Sequence, residues 1–176
     1  MMMEQKWDRC HTYASLMMKR RGYGAPEPVG EEDDAYILRD SRNKSVLVWY
    51  FKHDKMNIDS IKEFVQMLEE SSIQHGVIVY QSTITSSTKK VIENLFQFTI
   101  ELFELRELLY DITEFKYFCK HEKLVPPLSV EVRKKFGTGL PSLLRTDPVV
   151  RYYHFHKGDI IRVTRRNGML TYRLVK

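Results

Sequence analysis

Residues 140–176, LPSLLRTDPVVRYYHFHKGDIIRVTRRNGMLTYRLVK, decide how the chain is read. Residues 160–165 and 170–175 alternate with period two and are rich in β-branched and aromatic side chains, the pattern of half-buried strands. Between them lies Asn167-Gly168, a dipeptide that tolerates the positive φ angles of a tight hairpin, so the two runs are expected to pair antiparallel. Upstream, Asp147 offers a side-chain acceptor and Pro148 a pre-set φ. A short helix over VVRYY should therefore start there and stop before the Lys157-Gly158 turn. The stretch predicts a small, basic α+β unit.

The same residues carry a resemblance. Leu140-Pro141, Asp147-Pro148-Val149-Val150-Arg151-Tyr152-Tyr153, Lys157-Gly158-Asp159 and Thr171-Tyr172-Arg173-Leu174-Val175 resemble, in order and roughly in spacing, the C-terminal domain of the fifth subunit of eukaryotic RNA polymerases. That subunit is common to polymerases I, II and III, and its C-terminal part is the counterpart of a small subunit of the archaeal RNA polymerase. The resemblance implies an assembly domain that anchors to the largest polymerase subunit. It marks Pro141, Asp147, Pro148, Arg151, Tyr152, Gly158, Tyr172 and Arg173 as partner-binding positions. Tyr and Arg are also the residue types that most often dominate interface energetics. One departure is plain: the family joins its last two strands by a longer loop containing Pro and Ser, whereas Arg166-Asn167-Gly168 turns tightly here.

A 176-residue chain with 43% hydrophobic and 29% charged residues belongs among globular proteins and can bury a core as one domain or two small ones. No apolar run approaches the roughly 18 residues of a membrane span, and Met1-Met2-Met3-Glu4 begins no signal-peptide pattern, so no membrane role is expected. Cys10 and Cys119 lie far apart without metal-ligand spacing and read as reduced thiols. Charge is unevenly spread: residues 125–176 hold 11 Lys and Arg against 3 Asp and Glu, giving +8, while the remainder carries −3. Such a basic unit faces either nucleic acid or an acidic protein surface.

Taken in order, Trp7, Cys10, Ala14, Met17 and Met18 form a helical stripe that Gly22 and Gly24 should end, with Lys19-Arg20-Arg21 complementing the helix dipole. Ala25-Pro26-Glu27-Pro28 and the acidic run Glu31-Glu32-Asp33-Asp34 read as an exposed loop. Residues 35–38, 45–52, 76–80 and 100–105 are expected strands, the second nearly all apolar and so central. Ile58, Ile61, Phe64, Val65 and Leu68 supply a helix stripe capped near Asn57 or Asp59. Thr85-Ser86-Ser87 opens another helix, with Val91, Ile92 and Leu95 on one face. Val125-Pro126-Pro127 breaks the pattern and is expected to link two domains, 1–124 and 125–176.

Within the first of these, Arg21-Gly22-Tyr23, the run from Gly76 through Gln81, Thr83-Ile84-Thr85-Ser86-Ser87-Thr88-Lys89 and residues 107–114 resemble the N-terminal jaw domain of the same subunit. The resemblance implies a three-layer fold like that of type II restriction endonucleases, followed by the small α+β assembly domain. It also implies that the loop around Thr85, Ser86, Ser87 and Lys89 lies beside downstream double-stranded DNA. Chemistry agrees, since hydroxyls and unpaired amides at a helix N-terminus beside lysines suit phosphate and read no base; Ser86 stands where the family usually has proline.

A restriction-type nuclease needs two carboxylates for a divalent ion and an (Asp/Glu)-x-Lys on the central strand. Here Tyr50-Phe51-Lys52 puts a phenol where the carboxylate belongs, and Asp34 alone cannot replace it. His154 and His156 would share one face of a strand but have no carboxylate or cysteine at ligand spacing, and they read as a surface pair near a turn. No catalytic residue, metal, cofactor or small-molecule substrate is expected. The function implied is that of a non-catalytic subunit of a DNA-dependent RNA polymerase, acting with the largest and other subunits and with downstream DNA. The nucleus is its expected place, or a cytoplasmic factory or virion if the source is viral. A free-standing nucleic-acid-binding module and a divalent-metal nuclease are the alternatives.

Overall fold

Trp7, Cys10, Ala14, Met17 and Met18 recur at helical spacing, and the chain from Met3 to Arg20 is accordingly one helix, α1, with all five side chains buried. Gly22, at φ +92°, follows as the residue that lets the chain leave the last turn. These and the following details come from a computed structural model that describes residues 2–30, 34–81, 83–137 and 139–176. The expected loop after α1 falls, at Glu31, Glu32 and Asp33, outside the described residues, and its Glu27–Pro28 part is exposed but pairs as a short strand with Tyr36 and Ile37 rather than running free. Two units are distinguished, Met1–Tyr110 and Asp111–Lys176. The protein is a mixed α and β structure with several sheets. Among the described residues no helix is long and apolar enough to cross a membrane.

In the first unit, α1 is followed by β1 (Glu27–Pro28), β2 (Ala35–Arg39), β3 (Ser45–Phe51), β4 (Lys55–Met56), α2 (Ile58–Glu70), β5 (His75–Tyr80), β6 (Thr83–Ile84), α3 (Ser86–Glu93) and β7 (Thr99–Glu104). Five strands form one sheet in the order β1-β2-β3-β5-β7, with β3, β5 and β7 parallel and β1-β2 and β2-β3 antiparallel. The nearly all-apolar β3 lies in the middle, as its composition requires, because both of its faces are covered. On one face Tyr50 meets α1, its ring stacked on His11 at 3.6 Å and edge-on to Trp7 at 6.4 Å. On the other, Leu47, Trp49, Phe51, Ile78 and Tyr80 meet Ile61, Phe64 and Leu68 of α2, with Val91 and Ile92 of α3 alongside. The result is three layers, helix on sheet on helices. The last strand ends at Glu104, one residue short of expectation, because Leu105–Leu108 closes into a 3-10 turn.

The second unit opens with a short 3-10 turn at Ile112–Glu114, capped by the buried Asp111, whose Oδ1 accepts from the Thr113 amide at 2.9 Å. There follow β8 (Lys120–Lys123), α4 (Leu128–Phe136), β9 (Ser142–Leu143), α5 (Pro148–Tyr153), β10 (Ile160–Thr164) and β11 (Leu170–Val175). The sheet order is β8-β10-β11-β9, antiparallel except for the parallel β11-β9 pair. Period-two alternation sorts its side chains. Ile161, Val163 and Val175 pack with Val150 of α5, while Ile160, Tyr172 and Leu174 pack with Leu124, Leu140 and Val132 of α4.

Three expectations change here. The units divide between Tyr110 and Asp111 rather than at Val125, because β8 pairs with β10 from Lys120↔Thr164 to Lys123↔Ile161 and Leu124 N donates to Ile160 O at 2.9 Å. Val125-Pro126-Pro127 is therefore the connection from β8 to α4 inside the second unit, not a linker between domains. The last hairpin turns tightly at Arg166-Asn167-Gly168 as expected, but without positive φ at both residues of the dipeptide: Arg165 N donates to Met169 O and Gly168 N to Arg165 O, both at 2.9 Å, and of Asn167 and Gly168 only Gly168 has positive φ, at +80°. That is a three-residue loop with the glycine as its left-handed bulge. His154 and His156 lie on no strand: His154 caps α5 in the left-handed conformation and His156 enters the next turn.

Candidate functional site

At the expected DNA-facing loop, the entry of α3 is set by β6, which pairs in parallel with β4 through Met56↔Ile84; Met56 is fully buried. Thr85 is the N-cap. Its Oγ1 accepts from the Thr88 amide at 3.2 Å and shares hydrogen bonds with Ser87 Oγ at 2.9 Å and Thr88 Oγ1 at 2.8 Å. Thr88 is completely buried, whereas Ser86, Ser87, Lys89 and Lys90 are exposed. Thr85 and Thr88 hold the helix start, the Thr88 amide engaged by Thr85 Oγ1 and the Lys89 amide by Thr85 O at 3.1 Å, while Ser86 and Ser87, whose amides precede the first intrahelical bond, and Lys89 are exposed.

The position that a nuclease would need is closed. Tyr50 is 4% exposed, and burial pushes its phenol well above the ordinary range, with Cys10 and Tyr36 adding to the shift. Lys52 follows β3 as an exposed side chain.

The eight positions marked for partner binding do not form one surface. Asp147 caps α5, its Oδ1 accepting from Val149 N at 2.8 Å, and Pro148 occupies the first helical position, as their order in sequence implies. Tyr152, on the same helix, is 5% exposed, with Tyr153 edge-on at 5.1 Å; Arg151 is half-buried. Tyr152 therefore helps to fix the position of α5 within the unit, and its ring is largely covered by the chain itself. Tyr172 and Arg173 are neighbours on a strand and so point to opposite faces of the sheet. Tyr172 packs with the α4 side, its ring 5.9 Å from Phe136, while Arg173 donates from Nη1 to Ser142 O at 3.3 Å and lines, with Asp147, an open groove on the other face. Pro141 is exposed, and its carbonyl accepts from Leu174 N at 2.9 Å. Gly158, at φ +91°, makes the turn into β10, and its carbonyl accepts from Arg133 Nη2 at 3.0 Å.

Sequence reasoning missed two features. Arg21 and Glu101 form a bidentate pair, Nη1–Oε1 2.8 Å and Nη2–Oε2 2.9 Å, that ties the end of α1 to β7, and His75 Nε2 lies 2.8 Å from the same carboxylate. Arg21 belonged to a recognised motif, but its partner is 80 positions away, a pairing that no local pattern discloses. The cationic walls of the groove near Arg173 were hidden for the same reason.

The family model described as RNA polymerase Rpb5, C-terminal domain, matches residues 110–175. The chain is 30% identical to DNA-directed RNA polymerase V subunit 5A of Arabidopsis thaliana over 161 residues, covering 89% of this chain and 72% of that protein. It is 28% identical to DNA-directed RNA polymerases IV and V subunit 5B, also of Arabidopsis thaliana, covering 94% and 90%. With DNA-directed RNA polymerases I, II, and III subunit rpabc1 of Dictyostelium discoideum it shares 27%, covering 78% and 75%. A solved structure titled "Structure of EndoMS in apo form" aligns over 53% of this chain and 45% of that one, with 18% identity and a TM-score of 0.36.

Proposed function

Because the chain belongs to the fifth-subunit family of DNA-directed RNA polymerases, we propose that its C-terminal unit attaches it to the largest subunit of such an enzyme while its N-terminal unit stands as a jaw beside the downstream duplex. It is a polymerase subunit by family. The further reading is that it is non-catalytic, serving assembly and DNA handling, and that it acts in the nucleus. The observation that carries this is a coincidence of boundaries. The residues that match the family's C-terminal domain, 110–175, are the residues that pack by themselves as the second unit, Asp111–Lys176.

The jaw assignment draws support from the three layers of the first unit and from the α3 entry, where exposed Ser86, Ser87 and Lys89 surround amides that lack intrahelical acceptors. A site of that kind contacts phosphates without reading sequence, which suits a protein that must let every sequence pass. The missing carboxylate at Tyr50 supports a role without strand cleavage. The assembly role rests on the exposed Pro141 and Pro148 and on Arg173, all held by rigid elements, so little conformational freedom is lost on docking.

The test is to tag the protein in its own cells, purify it and identify what accompanies it. The largest subunit of a DNA-directed RNA polymerase is expected in stoichiometric amount, and its absence overturns the proposal.

A further inference from the structure

On the face of the second unit's sheet that α5 covers only in part, an open groove of about 720 Å³ runs from the tip of the last hairpin to the start of α5. Its floor is apolar, with Val163 and Leu143 buried beside Cys119. Its walls are cationic: Arg165 and Arg166 on the hairpin, Arg173 on β11, and Lys116 on the segment before β8. Among the described residues none of these four has an ion-pair partner. Lys116 lies over the ring of Tyr117, 5.5 Å from its centroid, and that ring is 73% exposed. The carboxylate that lines the groove, Asp147, is engaged as a helix cap. On the same lining, Thr171 Oγ1 is buried without a hydrogen-bond partner among the described residues, an atom that a ligand group would satisfy.

We propose that this groove binds an extended, acidic polypeptide segment of another subunit of the polymerase, with apolar side chains on the floor and carboxylates against the walls. The identity of the partner rests on the assignment of the chain as a polymerase subunit; the acidic, peptide character rests on the groove alone. Cations by themselves serve nucleic acid as well as protein, because both phosphate and carboxylate neutralise them. The floor separates the two. A phosphodiester backbone has nothing to place on Val163 and Leu143, whereas a peptide with alternating apolar and acidic residues fills both chemistries at once. Two of the four cations sit at the short hairpin turn, Arg166 in its three-residue loop and Arg165 immediately before it, so the family's longer loop is not needed to build the wall.

The experiment places photoreactive benzoylphenylalanine at Tyr117, and separately at Asn167, in the tagged full-length chain. The polymerase is then purified from the chain's own cells and irradiated, and the cross-linked peptides are sequenced. Both positions are expected to reach one segment of another subunit in which Asp and Glu exceed Lys and Arg. Cross-links to nucleic acid, to a neutral or basic segment, or to nothing in an enzyme that has co-purified intact overturn the groove assignment and leave the subunit assignment standing. If no polymerase co-purifies, both fall. Lys116→Glu and the double variant Arg165→Glu/Arg166→Glu should each lower the cross-link yield from Asn167 and Tyr117 respectively by about tenfold at unchanged thermal midpoint. Unchanged yield contradicts the role of charge, and because the two variants lie on separate segments of the chain, misfolding of one leaves the other to decide.

Discussion

Gly76 lies so close to Phe64 that a Cβ added to it would stand 2.6 Å from both Cε1 and Cζ of the ring. Phe64 cannot swing aside, since it is fully buried and stacks on Trp49 at 5.6 Å. The absent side chain is what lets α2 lie against β5. Gly76→Ala should therefore cost about 1–3 kcal/mol, through overpacking that outweighs the gain from stiffening the unfolded chain. Urea unfolding of Gly76→Ala, Phe64→Leu and the double variant checks this: the double variant should be less destabilised than the sum of the singles.

The Arg21–Glu101 pair predicts an asymmetric response. Their side chains are 3% and 13% exposed, so losing one partner leaves the other charge poorly solvated. Arg21→Ala or Glu101→Gln should cost about 3–5 kcal/mol. Arg21→Lys should recover only part of that, because an ammonium cannot supply two parallel donors. Chemical denaturation of the three variants is the measurement.

Cys10 gives a pH dependence whose sign can be worked out. Burial pushes its thiol up to about 12, whereas an unfolded-chain thiol ionises near about 8.5. Above that value the folded state holds a proton that the unfolded state has released. This contribution to stability is fully present below about pH 8.5 and is lost as pH rises toward 12. The difference in urea midpoint between wild type and Cys10→Ala should accordingly shrink between pH 8 and pH 10. In the native protein a thiol reagent should modify the partly exposed Cys119 and spare Cys10.

At the start of α3 the cap and the contact should separate experimentally. Thr85→Ala removes the acceptor for the Thr88 amide and should cost about 1 kcal/mol of folding stability. Lys89→Ala should leave folding within about 0.5 kcal/mol of wild type. In the assembled polymerase it should lower the salt dependence of downstream-DNA retention by about one phosphate's worth. Equal folding losses in both variants would remove the case for a DNA contact.

Tyr152 and Arg173 should likewise fail differently. Tyr152 is buried, and its truncation to Ala should cost about 3 kcal/mol or more of folding stability. Arg173→Ala loses one hydrogen bond to Ser142 O and should cost about 1 kcal/mol or less. Yet Arg173→Ala should reduce recovery of the subunit with the polymerase several-fold, measured by quantitative mass spectrometry of the purified enzyme.

What was legible in the sequence were the elements whose pattern is enforced by burial. The apolar run of β3, the α1 and α2 stripes, and the alternation of β10 and β11 each declare themselves because one or both faces must leave water. β8 did not, since Lys120-His121-Glu122-Lys123 holds its place by backbone pairing and by ion pairs such as Arg162 to Glu122 at 3.1 Å, not by apolar alternation. The Pro126-Pro127 break was visible but misleading, because proline interrupts an element without saying whether a domain ends there. Composition likewise drew attention to Tyr152, an interface residue type, and could not tell that the phenol is buried. The hydroxyl run at Thr85 was readable down to the cap, while the groove walls at Lys116 and Arg165 are brought together by sheet topology alone.

β8 also guards the molecule against itself. It lies along β10, whose Ile160-Ile161-Arg162-Val163-Thr164 is β-branched and apolar at every position but one or two, and it is the outermost strand on that side. Its own face to solvent is lined with lysine at both ends. A polypeptide that began at Val125 would keep every residue of the C-terminal motif and lose this strand, leaving the backbone of β10 open for another chain to zip onto. The polar tetrapeptide that looks least like a strand is thus the one that covers the apolar, β-branched β10 along that edge.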